Sequence, residues 1–117
     1  MQNHKNNETI SVFESLKDTL KLMIIPDNIS IDDRDDLIEF NLQELEGDFY
    51  TFINPVNLNK LYLENFIDIE VKFKLDKLFF FLQDIQDKEW NVDSFLINHK
   101  WLKIINLTKE IITVFES

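Results

Sequence analysis

Ile67-Asp68-Ile69-Glu70-Val71-Lys72-Phe73-Lys74-Leu75 sets five apolar residues in strict alternation with four charged ones. A period of two over nine residues is the pattern of a strand with one buried face and one wet face. On that reading Asp68, Glu70, Lys72 and Lys74 form the solvent side, where mixed charge keeps an exposed sheet from pairing with other chains. Three shorter stretches point the same way. Ile38-Glu39-Phe40-Asn41-Leu42 alternates, Phe49-Tyr50-Thr51-Phe52-Ile53 is rich in strand formers, and so is Ile111-Ile112-Thr113-Val114-Phe115. Gly47-Asp48, between the first two of these, reads as a helix stop or a hairpin turn.

Other stretches carry helical spacing. Phe13, Leu16, Leu20 and Met23 mark a helix from about Glu8 to Ile25, with Asn7 or Thr9 as its cap and Pro26 as its end. Leu58, Leu61, Tyr62 and Phe66 mark a short helix. Leu78, Phe79, Phe81, Leu82 and Ile85 mark another, and Asp93 and Ser94 cap a further one running through Trp101 to Ile105. Phe79, Phe80 and Phe81 cannot all point inward, because successive helical residues lie about 100° apart. Together these signals predict an α+β fold, with a short antiparallel or mixed sheet packed against several helices. Residues 1–7 read as a flexible polar tail and 8–117 as one globular domain.

The chain of 117 residues carries 22 acidic and 12 basic residues, for a net charge of −10. Most of that charge is local. From Asp27 to Asp48 nine acids face a single base, Arg34, and the other 95 residues hold 13 acids against 11 bases. Ser30 before Ile31-Asp32-Asp33 resembles a helix start, with carboxylates where the helix dipole favours them. A concentrated negative field attracts cationic surfaces and repels phosphate backbones, so the partner expected is a basic protein surface, with no direct nucleic-acid contact. The residues expected to meet it are Asp32, Asp33, Asp35, Asp36, Glu39, Glu44, Glu46 and Asp48.

The chain has no cysteine, a polar N-terminus and apolar runs of only four or five residues. These features exclude disulfide and thiolate chemistry and point to a reducing, cytoplasmic setting without a membrane span. One glycine cannot build a phosphate loop or dinucleotide fingerprint. Asp32-Asp33-Arg34-Asp35-Asp36 lacks the glycine that a calcium loop needs. His99 has no partner in the sequence for general-base work. Pro26-Asp27 with Glu70-Val71-Lys72 resembles the PD-(D/E)xK nuclease pattern, in which two carboxylates hold Mg²⁺ and a lysine helps water attack phosphate. The two halves are 42 residues apart, however, and no basic groove offsets the charge, so the family is not claimed.

No catalytic residue, cofactor or metal is expected. The function expected is that of a non-enzymatic acidic protein, monomer or homodimer, that neutralises a basic partner, as immunity proteins and antitoxins neutralise nucleic-acid-acting toxins. The alternatives are a small acidic chaperone or adaptor for a secreted or effector protein, using surface aromatics such as Phe80, and a phage-type inhibitor mimicking DNA.

Overall fold

The computed structural model describes residues 7–117, so the expectation of a flexible tail falls, apart from Asn7, outside the described residues. Asn7 itself opens the first helix. Six α-helices follow in order: α1 (Asn7–Lys21), α2 (Ile31–Phe52), α3 (Pro55–Leu63), α4 (Ile69–Gln83), α5 (Val92–Ile97) and α6 (His99–Glu116). A single 3₁₀ turn, Asp87–Glu89, precedes α5. There is no strand among the described residues, and the predicted α+β architecture is wrong: the domain is all-helical.

The stretch Ile67–Leu75 shows why. Asp68 is the N-cap of α4, its carboxylate accepting a 2.8 Å hydrogen bond from the Val71 N–H. Ile67, Val71 and Leu75 are buried, but Ile69 and Phe73 are 45% and 62% exposed. A strand would have buried all five. The buried set continues through Leu78, Phe79 and Leu82, the spacing of one helix face. The charged residues pair along the helix as well, Lys72 with Asp76 at 2.8 Å and Lys74 with Glu70 at 3.8 Å, each four apart.

The same correction holds for the other three strand assignments. Ile38, Leu42, Leu45 and Phe49 form the buried face of α2, while Phe40 is 59% exposed. Gly47 is no turn: α2 runs through it without positive φ and extends to Phe52. Ile111 to Phe115 belong to α6. The helix expected through Trp101 is instead two helices, broken at Asn98. Asn91 caps α5 by accepting from Ser94 N–H at 2.9 Å, and Asn98 caps α6 by accepting from Lys100 N–H at 2.7 Å.

Helix ends follow local chemistry. Ser30 caps α2, its hydroxyl accepting from the Asp33 N–H at 3.1 Å. Asn54 serves two helices: its carbonyl accepts from Asn57 N–H at 2.9 Å, and its amide donates to the Tyr50 and Thr51 carbonyls at the end of α2. Pro55 then sits at the first position of α3, where its missing N–H costs nothing. Beyond α3, Asn65 adopts φ 66°, with Phe66 N–H on Leu61 O and Asn65 N–H on Tyr62 O, the paired bonds of a Schellman stop. Thr9, expected as a cap, is buried, and its hydroxyl donates to Glu64 at 3.2 Å.

One core joins all six helices. Leu16, Leu20 and Met23 from the α1 segment meet Leu45, Leu58, Leu61, Leu75, Leu78 and Leu82, together with Trp101, Ile104 and Ile111 of α6. α4 and α6 share the most extensive helix contact. Three buried threonines, Thr9, Thr19 and Thr108, all have hydroxyl partners, and no buried side-chain polar atom among the described residues lacks one. The sequence expectation for the three consecutive phenylalanines is met: Phe79 is buried, Phe81 half-buried and Phe80 65% exposed.

Candidate partner-binding surface: the acidic helix

All eight carboxylates expected at the interface lie on α2. A 22-residue helix is about 33 Å long, so Asp32 to Asp48 span most of one element. Against Arg34 alone they leave α2 at −7, eight carboxylates minus one guanidinium. Arg34 is committed within the chain, its Nε and Nη2 donating to one oxygen of Asp35 at 3.1 and 3.0 Å. This is the one ion pair involving α2 among the described residues; the others use lysines paired on α1, α4 and α6.

Helical spacing turns this composition into strain. Asp32 and Asp36, Asp35 and Glu39, and Glu44 and Asp48 are like-charged pairs four residues apart. Each such pair costs an exposed helix roughly 0.2–0.5 kcal/mol. Asp32 and Asp33 recover part of this from the positive N-terminal end of the dipole, but the later carboxylates lie beyond its reach.

The eight do not form one patch. At 100° per residue they fall into two flanks on either side of the exposed Phe40. Glu39 and Glu46 border a cleft of about 370 Å³ between α2 and α5, together with Leu42, Gln43, Trp90, Asn91, Val92 and Asp93. Asp32, Asp35 and Asp36 lie on that same flank. Glu44 and Asp48 border a groove of about 340 Å³ between α1 and α2, with Ser15, Asp18, Thr19, Leu22, Phe40 and Phe52. Asp33 is on the second flank.

Two carboxylates at these clefts were not among the expected site residues: Asp93 at the first and Asp18 at the second. No local pattern marks them, since each meets α2 only through tertiary packing. Trp90 is half-buried and firmly held. Its indole stacks on Phe49 with centroids 5.8 Å apart, meets Trp101 edge-on at 5.1 Å, and donates Nε1–H to Ile85 O at 3.4 Å.

Glu89, next to Trp90 in the chain, is the best-connected ionic group among the described residues. Glu89 accepts from the Gln86 N–H at 2.9 Å, Lys100 Nζ at 3.0 Å and Asn98 Nδ2 at 3.0 Å. The backbone N–H of Gln86 first, and Lys100 after it, hold its carboxyl below the usual glutamate range. The Glu89 contact in turn holds Lys100 above the usual lysine range. Trp101 Nε1–H donates to Glu89 O at 2.9 Å, so the 3₁₀ turn, α5 and α6 are tied together at one residue.

The nuclease-like pair fares differently. Glu70 and Lys72 lie on a helix, about 200° apart rather than on one strand face, and Lys72 is occupied by Asp76. Among the described residues no group of three or more His, Asp or Glu is placed to hold a metal ion, and no helix is long and apolar enough to cross a membrane. No protein-family model matches the chain, and no curated protein or solved structure matches it either.

Proposed function

We propose that this protein is a non-catalytic binder that captures and neutralises a basic protein, in the manner of an immunity protein or antitoxin acting on a nucleic-acid-cutting toxin. The observation that carries the reading is the charge of α2: eight carboxylates, only Asp35 of them ion-paired among the described residues. A helix with like charges stacked four apart is destabilised in isolation, and a cationic surface laid along it removes that repulsion while gaining ion pairs. The toxin assignment rests on chemistry. A nuclease needs a cationic groove for its substrate, and a rod of carboxylates competes for that groove; a DNA-mimicking inhibitor would use the same surface on another target.

The test is capture from native lysate with tagged protein, washed at low and high salt. The expected result is a basic protein retained at low salt, released at high salt, and lost when Asp32, Asp33, Asp35 and Asp36 become Asn. A partner retained at high salt and indifferent to that variant overturns the reading.

A second reading, a chaperone or adaptor for an effector, draws on α4. Ile69, Phe73 and Phe80 line the side of that helix turned away from the core, 45%, 62% and 65% exposed. Its signature is salt-resistant capture abolished by Phe73→Ser with Phe80→Ser.

A further inference from the structure

The two grooves beside α2 are not equivalent. Both are lined by carboxylates together with apolar side chains. The α2–α5 cleft is the more enclosed, and its wall is rigid. Trp90 is fixed there by Phe49, Trp101 and the Ile85 carbonyl, whereas the α1–α2 groove is walled by Phe40, 59% exposed. Leu42 and Val92 add apolar lining beside Trp90, Gln43 and Asn91 add neutral polar groups, and Glu39, Glu46 and Asp93 line the cleft from two different helices. None of these three carboxylates has an ion-pair partner among the described residues, and they are not placed to share a metal ion.

A cleft lined by apolar side chains and three carboxylates has a specific complement. It fits a side chain with a long aliphatic stem and a cationic head that offers several donors. The volume falls in the range of clefts that take up a ligand group. We propose that the α2–α5 cleft is the specificity pocket of the acidic surface, receiving one arginine side chain of a basic protein partner. The stem packs on Leu42, Val92 and the Trp90 indole, and the guanidinium meets Glu39, Glu46 and Asp93. The remaining carboxylates of α2 supply attraction without selection. This deepens the function proposed above and rests on it. A wall held before binding loses little freedom when the side chain enters, which is why the braced cleft outranks the looser groove.

The probe is an alternating arginine–glycine peptide, with the same peptide carrying citrulline as the uncharged control. Titration at low salt compares three variants. Glu39→Gln/Glu46→Gln/Asp93→Asn removes the carboxylates of the cleft. Asp18→Asn/Glu44→Gln/Asp48→Asn removes the same charge from the other groove. Gln43→Trp fills the cleft and leaves every charge in place. All substituted side chains are exposed or half-buried, and thermal melts check that each variant folds. The expected result is a loss of about tenfold or more for the first and third variants against a few-fold at most for the second. The Trp90 indole N–H resonance is expected to move on titration while that of fully buried Trp101 stays. Equal losses in the two charge-matched variants, an unaffected Gln43→Trp protein, or binding of the citrulline peptide overturns the cleft assignment. The lysate experiment is read separately: a salt-sensitive basic partner indifferent to Gln43→Trp refutes the pocket and leaves the function standing.

Discussion

Gly47 tests the architecture at the point where helix and hairpin differ most. It lies in the seventeenth position of α2, exposed, with φ in the ordinary negative range, and a Cβ built there meets nothing within 4 Å. Gly47→Ala therefore adds no contact and creates no clash. What changes is the backbone freedom of the unfolded chain and the intrinsic preference for helix, together about 0.8–1 kcal/mol in favour of alanine at an exposed interior position. For a chain of 117 residues this raises the midpoint of thermal unfolding by about 4 °C. The assay is urea unfolding followed by far-UV circular dichroism, with a thermal melt alongside. A hairpin at Gly47-Asp48 would require positive φ at the glycine, and alanine there would lower stability by roughly 1–2 kcal/mol. The sign alone decides. A stability unchanged or lowered refutes the continuous α2, and with it the two-flank arrangement of carboxylates. The same substitution leaves every charge in place, so capture of a basic partner should persist unchanged.

Three further outcomes are expected. Glu89 has a depressed carboxyl pKa in the folded protein, so its contribution is present above the ordinary glutamate range and is lost as pH falls through the folded value; Lys100, raised, contributes below the ordinary lysine range and loses its contribution as pH rises through its folded value. Unfolding measured across an acid pH series should therefore show a steeper loss for the wild type than for Glu89→Gln. Trp101→Ala opens a cavity at a fully buried ring and strands the Glu89 carbonyl, costing about 3–5 kcal/mol in urea unfolding, whereas Trp101→Phe loses chiefly the hydrogen bond and costs less. Asn65→Gly relieves a left-handed backbone and raises stability by up to about 1 kcal/mol, while Asn65→Val, β-branched at φ 66°, lowers it; paired thermal melts read both.

The misreading of the two alternating stretches has a single cause. A period of two contains a period of four. Ile67, Val71 and Leu75 are alternate members of the alternating set, and so are Ile38 and Leu42. Those subsets are buried, and the residues between them, Ile69, Phe73 and Phe40, face solvent. Inside a short window a strand and an amphipathic helix with extra surface apolar residues write the same pattern. Two local signals favoured helix: Asp68 three residues before a free N–H, and oppositely charged residues four apart at Glu70–Lys74 and Lys72–Asp76. β-branched and aromatic content outweighed them, a preference that reflects half-buried packing more than the backbone itself.

Several features were determined by the sequence alone, because they are local. The cap at Ser30, the stripes of α1 and α3, the outward turn of one residue among Phe79, Phe80 and Phe81, and the placing of −8 between Asp27 and Asp48 all depend on neighbours within a few residues. Tertiary structure alone decided which half of each alternating set is buried, because that depends on what packs against the helix. It also decided how the carboxylates divide, since the α2–α5 cleft exists only where Trp90 and Asp93 fold back more than 40 residues to meet Glu39 and Glu46.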